Sequence, residues 1–343
     1  MALPGAPAIK ALSDSASWAV SARPYVVAQL PTLANKTWDA ATTSLNALHL
    51  LYVDTNPFVL GLGFSIAAGA VFFVLAEINK NYSQVDRMWS ILPAFYILHF
   101  NIWARQSGIP HARLDLAVLW SAIWSVRLTY NFWRKGGYTI GHEDYRWPII
   151  KEQIGPVAMS IFDLTFISFG QSVLLFMVAS PAYILLLTSR IEPELTLPDI
   201  IFTSMILVSI VIETVADQQQ WNYQNAKHAY LKSAKLPHNS QYTQEDLDRG
   251  FVVSGLWSWS RHPNLACEMF NWITLYQWAG FTSHSILNWT IFGTIAYVLI
   301  FIGSAPLTER ISSGKYPQYK EYQQLVGKFL PSLLGGFRKS KAD

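Results

Sequence analysis

The 343-residue chain is 51% hydrophobic and only 14% charged, with a formal net charge of +3 and a mean hydropathy of +0.22. That balance excludes an ordinary soluble enzyme and points to the bilayer. A single cysteine, Cys267, excludes an intramolecular disulfide and a cysteine-built metal site.

Residues 1–56 are less apolar than the rest and carry no basic stretch followed by an apolar core, so no cleaved signal peptide is expected. They read as an N-terminal extension. Leu45, Leu48, His49 and Tyr52 recur at helical spacing and predict an interfacial helix over Trp38–Val53. Apolar runs long enough to cross about 30 Å of hydrocarbon follow near Phe58–Ile78, Met88–Ala104, Leu114–Trp133, Val157–Leu187, Pro198–Val215, Leu265–Phe281 and His284–Gly303. The expected fold is therefore all-α and polytopic, with about seven transmembrane helices. The fourth run is too long for one ordinary span and contains Pro181, which predicts either a kinked helix or a helix with a re-entrant piece.

In a seven-span topology eighteen Lys and Arg residues fall on one side and six on the other, with Arg127 inside a span. Basic residues collect on the cytosolic side, so the tail is expected in the cytosol and the N-terminus outside it. This asymmetry accounts for the net charge, and nucleic acid is not implied. Lys339 and Lys341 stand five and three residues from the end, as in the dibasic retrieval signal of endoplasmic-reticulum membrane proteins. The chain divides into the extension, a transmembrane half over 57–197, a second half over 198–337 and a tail over 338–343.

Three polar groups stand out against the apolar background. In the first, Glu213, Asp217 and Gln220 fall at i, i+4 and i+7 of one helix face. Two carboxylates one turn apart at a membrane edge repel each other, so a ligand or partner is expected to compensate them. Carboxylates and amides suit ribose hydroxyls and a nicotinamide carboxamide. The second is Gly255-Leu-Trp-Ser-Trp-Ser-Arg-His-Pro-Asn-Leu-Ala-Cys-Glu268. Pro263 suits the first helical turn, so a helix is expected to begin there, with Arg261, Asn264 and Glu268 on one face and Arg261 and His262 at an N-terminus able to hold an anion. Trp257 and Trp259 are placed to stack on rings or to lie at the membrane interface. The third is Glu309-Arg310 with Tyr319, Tyr322 and Phe329-Leu-Pro331.

The second group resembles the Gly-Leu-(Trp/Phe)-x-x-(Ser/Thr)-Arg-His-Pro-Asn-Tyr-x-Gly-Glu signature of the membrane steroid 5α-reductase-like superfamily. Leu265 and Cys267 depart from it, standing where an aromatic residue and a glycine are usual. The chain looks closest to a poorly characterised branch of that superfamily with a steroid-reductase-like C-terminal domain: the first group resembles that branch's Glu-x-x-Ala-Asp-x-Gln motif, and the third resembles the superfamily's Glu-Arg…Tyr-x-x-Tyr…Pro ending, without the acidic pair that sterol reductases carry after the arginine. The resemblance implies an NADPH site in which Asp217 binds the cofactor and Asn264 pairs with the nicotinamide carboxamide. Glu268 would buttress it, and Arg310, Tyr319 and Tyr322 would serve the phosphates. In the first half, Asn81–Ser90 resembles a Ser-x-x-Asp-x-x-Trp element and Arg134–Arg146 an Asp-x-Arg-Tyr element. Either could place an acid beside the substrate, which makes Asp86 and Tyr145 the candidate catalytic acids. Arg127 and Asp163 lie inside spans and are expected to pair with each other.

The function these features imply is NADPH-dependent reduction of a carbon–carbon double bond in a steroid, sterol or isoprenoid lipid, in the endoplasmic-reticulum membrane. Two rivals stand beside it. One is an S-adenosylmethionine-dependent methyltransferase like the isoprenylcysteine carboxyl methyltransferases of the same superfamily, and the other is a non-catalytic lipid-binding protein. No metal site is expected, and the sequence does not settle the oligomeric state.

Overall fold

Asn56 starts the first long apolar helix by local chemistry alone: its side-chain oxygen accepts from the Phe58 N–H at 2.9 Å, and Pro57 occupies the first turn. The helix Pro57–Asn79 then runs until Lys80 turns left-handed at φ 52°. The computed structural model describes residues 5–236 and 240–331. Lys339 and Lys341 lie outside them.

Among the described residues the chain is helical, with an isolated bridge between Ser260 and Gly327 in place of a sheet. Four of the described helices are long and apolar enough to cross a membrane: Pro57–Asn79, Pro156–Thr188, Leu197–Ser233 and Ile291–Lys315. Their outer faces carry exposed Val71, Ile78, Val211, Phe292 and Leu299, the surface expected of helices solvated by lipid. The protein is thus an all-α polytopic membrane protein. The other apolar runs form helices that fall short of that standard. Leu92–Gln106 is only 15 residues long, and Ala112–Arg134 carries Arg113, Asp115, Arg127 and Arg134.

The over-long fourth run is one continuous helical segment. Its middle, Asp163–Gly170, is a π-helix, and Pro181 opens its last piece. The π geometry explains a departure from expectation. With i→i+5 spacing, Ser168 comes over Asp163 and donates to Oδ1 at 2.8 Å, so Asp163 is held by a neighbour on its own helix and not by Arg127. The extension is also helical, but the single helix over Trp38–Val53 is corrected to two, Arg23–Thr43 and Leu45–Asp54. Ser44 lies extended between them and caps the second by accepting from Ala47 N–H at 3.1 Å.

The chain forms two compact units. The first comprises residues up to Met205 together with Trp272–Tyr297, and the second Ile206–Asn271 together with the chain from Val298 onward. In the first, Arg113 is fully buried. It is fixed by Asp199 at 3.1 Å and by the carbonyls of Glu192 and Glu194, while Trp278 donates to the same carboxylate at 2.7 Å. A buried pair satisfied on every side in this way specifies one packing; it is not a large source of stability.

Candidate functional site

The second unit contains all three polar groups. Along Leu197–Ser233 the face bearing Glu213 and Asp217 is buried. The helix Pro263–Thr282 begins at Pro263 as expected, and presents Asn264, Glu268 and Asn271 at i, i+4 and i+7. The two faces meet in antiparallel register. Asn271 Nδ2 donates to Glu213 Oε2 at 3.3 Å, and one pairing further along Asn264 Nδ2 donates to Asp217 Oδ1 at 3.1 Å. Glu268 is buried between the two asparagines in sequence, at 4% exposure.

This register leaves a specific imbalance. The side-chain oxygens of Asn264, Asn271 and Gln220 are buried without a hydrogen-bond partner among the described residues. The cluster therefore holds three carboxylates and three amide oxygens in one buried layer. The three amide oxygens are acceptors, which suits hydroxyl and amide donors.

The signature loop that precedes Asn264 is built as a clamp. Gly255 takes φ +64°, and a Cβ there would lie 2.4 Å from the Gln219 side chain, whose oxygen accepts from Leu256 N–H at 3.0 Å. Trp257 donates to the Ala216 carbonyl at 3.0 Å and packs with Tyr223, Leu247 and Val252. It is a buried staple with no ring face to offer a ligand; Trp259 is half exposed. Ser260 pairs with Gly327, and the N–H groups of Arg261 and His262 donate to Gly327 and Lys328 at 2.9 and 3.0 Å. Tyr322 donates to the carbonyl of Trp257 from its place in the helix Tyr319–Leu325. Tyr319 packs edge-on against Phe251 at 4.9 Å, and burial pushes its hydroxyl up to about 12.

The expected anion at Arg261 and His262 is supplied by the chain itself. Arg261 Nε donates to Glu309 Oε1 at 2.7 Å, its Nη1 donates to the carbonyls of Gln323 and Val326, and His262 Nε2 lies 3.0 Å from the same Glu309 oxygen. Gln323 donates to the other oxygen at 3.0 Å. This corrects the reading of Arg261 and His262 as an open anion site. Arg261 precedes the helix, and its guanidinium reaches Glu309 on the helix Ile291–Lys315. Arg310, the next residue, is exposed, and its guanidinium makes no hydrogen bond or ion pair within the described residues. Sequence reasoning weighed the arginine of the Glu309-Arg310 pair and missed the glutamate as the hub. It also missed Asn271, which continues the Asn264 and Glu268 spacing by one more step.

A cavity of about 520 Å³ lies in the same unit, lined by Tyr223, Tyr242, Asp246, Arg249, Ser254 and Ser258 among others. It opens on the helix face carrying Gln219 and Tyr223, which is not the Glu213, Asp217 and Gln220 face. The acceptor layer and this cavity are separate features.

In the first unit the two elements proposed to carry an acid are joined. Tyr82 N–H donates to Glu143 at 2.7 Å, Arg87 donates to the His142 carbonyl at 2.7 Å, and Asp144 N–H donates to Ser83 Oγ at 2.9 Å. Asp86 accepts from Trp147 Nε1 at 2.9 Å, and burial raises its carboxyl above the ordinary range. Tyr145 is 51% exposed at the start of the helix Arg146–Ile154.

The profile of a family described as a protein of unknown function, DUF1295, matches residues 72–326. An uncharacterized protein of Schizosaccharomyces pombe is 40% identical over 329 residues, which is 96% of this chain and 94% of that protein. No solved structure matches.

Proposed function

The chain belongs to the DUF1295 family of membrane proteins, and we propose that it is a reductase of the steroid 5α-reductase-like kind, taking NADPH from the cytosol and reducing a carbon–carbon double bond in a lipid-like substrate. The observation that carries this reading is the acceptor layer. Asn264 and Asn271 each give an N–H to a carboxylate and leave a buried carbonyl oxygen unmatched among the described residues. A carboxamide N–H₂ and a ribose diol are the donors such a layer fits, and they are found together at the nicotinamide end of a dinucleotide. NADPH, when bound, would supply a hydride.

The chain's own part is to bind and to manage the proton. Asn264 orients the carboxamide, with Asp217 holding the asparagine amide in one of its two flips. Glu213, Glu268 and Gln220 accept from ribose hydroxyls. Arg310 serves phosphate as a charge-assisted donor, and Tyr319 stands in the same segment. Arg261, His262, Trp257 and Tyr322 act indirectly, by holding the loop that delivers Asn264. In the first unit, Asp86 keeps its proton to higher pH than an ordinary carboxyl and is preferred over Tyr145 as the acid that stabilises an enolate. The finer topology belongs to the same proposal: about seven spans, a cytosolic tail and residence in the endoplasmic reticulum.

The test is ligand binding by the purified full-length protein. NADPH binding in the micromolar range, weakened at least tenfold by Asn264→Ala or Asp217→Asn, is the expected result. Binding of S-adenosylmethionine without NADPH would convert the reading to a methyltransferase. Binding of neither would leave a lipid-binding protein without cofactor.

A further inference from the structure

The chain carries three Asn-x-Ser/Thr acceptor sequences for N-glycosylation, Asn35-Lys-Thr37, Asn81-Tyr-Ser83 and Asn288-Trp-Thr290, and all three lie in the first unit. A usable acceptor needs a free side-chain amide, room for a bulky hydrophilic sugar, and the side of the membrane away from the cytosol. The three sites meet these conditions unequally.

Asn35 stands on the helix Arg23–Thr43. There Leu30, Leu33, Ala34, Thr37, Trp38 and Ala41 recur at helical spacing and line an apolar groove against the helix Pro57–Asn79. Thr32, Asn35, Lys36 and Asp39 fall on the opposite arc and are exposed. No side-chain hydrogen bond holds Asn35 among the described residues. Asn81 is engaged: its Nδ2 donates to the His142 carbonyl at 2.9 Å, and its oxygen accepts from Ser83 N–H at 3.1 Å. It also follows the end of the 23-residue helix that Asn56 caps, roughly 35 Å along the axis from that cap. The N-terminal extension is tied to the Asn56 end, where Asn56 donates to the Gly5 carbonyl at 3.0 Å and to the Tyr183 hydroxyl at 2.9 Å, and Tyr183 donates to the Ser21 carbonyl at 2.7 Å. Asn288 is only 4% exposed, and its oxygen accepts from Thr290 N–H at 3.1 Å. Its Nδ2, the atom that would carry the sugar, is buried, and a Cβ on Gly280 would lie 3.7 Å from it. Trp289 beside it is held by Ser21 Oγ at 3.1 Å. A glycan on Asn288 is therefore incompatible with this packing.

We propose that Asn35 is the N-glycosylation site of this protein and that Asn81 and Asn288 stay unmodified. The proposal rests on the orientation proposed above, with the N-terminus away from the cytosol, and does not depend on the reductase reading. Asn35 Nδ2 attacks the anomeric carbon of a lipid-pyrophosphate-linked oligosaccharide, supplied by the membrane's own transferase. The N–C bond forms as the C–O bond to pyrophosphate breaks; the lipid pyrophosphate leaves, and the amide proton passes to a base of the transferase. A bulky hydrophilic group on that arc keeps it in water, so the helix Arg23–Thr43 cannot roll its polar face into the bilayer and its apolar face stays on the groove.

The test is translation of the full chain with sealed endoplasmic-reticulum microsomes, read by gel mobility before and after endoglycosidase H. Wild type is expected to run one glycan heavier and to collapse to the unmodified position on digestion. Asn35→Gln and Thr37→Ala should abolish the shift, whereas Thr37→Ser should retain it, because a serine hydroxyl still completes the acceptor. Asn81→Gln and Asn288→Gln should leave the shift unchanged. Wild type without a shift overturns the proposal, as does a shift that survives Asn35→Gln. Two further versions of the chain separate the site from the orientation, one with an added acceptor sequence ahead of Met1 and one with it after Asp343. Modification ahead of Met1 with Asn35 unmodified refutes the site and keeps the orientation. Modification only after Asp343 inverts the orientation and removes the site with it.

Discussion

Glu309 is the residue on which the second unit's polar architecture turns, because three side chains converge on its carboxylate. Removing one partner of a buried pair leaves the other uncompensated and costs about 3–5 kcal/mol. Arg261→Ala is therefore expected to lower the thermal midpoint in detergent sharply. Arg310→Ala should leave that midpoint unchanged and weaken NADPH binding about tenfold through the loss of one charge-assisted contact. If Arg261→Ala melts like wild type but fails to bind NADPH, then Arg261 is a direct ligand after all. His262 adds a pH dependence. Burial pushes its imidazole below the ordinary value of 6.5, with the Glu309 contact opposing. The unfolded chain then binds a proton that the folded chain refuses, so this contribution is intact above pH 6.5 and is lost as pH falls below it. Thermal melts from pH 7.5 to 5.0 should decline, and His262→Gln should flatten that decline.

At the scale of single elements, capping chemistry decides where the helices stop. The short helix Gln244–Arg249 opens on a capping box, in which Thr243 and Asp246 satisfy each other's N–H groups, and closes on Gly250 at φ 85°. A Cβ on Gly250 would lie 2.1 Å from the Tyr316 ring. Lys227 Nζ also donates to the Gly250 carbonyl at 3.0 Å, so the backbone has no freedom to move aside. Gly250→Ala combines left-handed strain with a clash and is expected to cost about 1–3 kcal/mol. Limited proteolysis should then cut within 240–250 well before wild type; an unchanged cleavage pattern and midpoint would refute it. The π segment at 163–170 teaches the same lesson for a buried charge. Asp163 is answered inside its own helix because an extra residue per turn brings Ser168 over it.

For the whole molecule, the bilayer sets the terms. Four of the described helices expose apolar faces that water would not tolerate, and the eighteen-to-six asymmetry of the seven-span topology is the ground for expecting the tail in the cytosol. Protease added to sealed microsomes is expected to remove a tag at the C-terminus and spare one at the N-terminus. The reverse pattern would invert the topology and place the acceptor layer on the side away from cytosolic NADPH.

The sequence by itself determined that this is a helical membrane protein, because hydropathy and helical period are local properties read directly from residue order. It also located the start of the signature helix at Pro263 and set Glu213 and Asp217 on one helix face, since capping and i, i+4 spacing need no distant partner. What only tertiary structure decided is which polar groups answer each other across the chain. Arg261 looked like a ligand arginine until Glu309, 48 residues away, was found against it. Asn271 meant little until it lay opposite Glu213, 58 residues earlier. Tyr96, one aromatic among many in the sequence, is singled out only by the packing that buries its hydroxyl without a partner among the described residues. Burial and pairing depend on contacts between segments, and local sequence carries no record of which segments will meet.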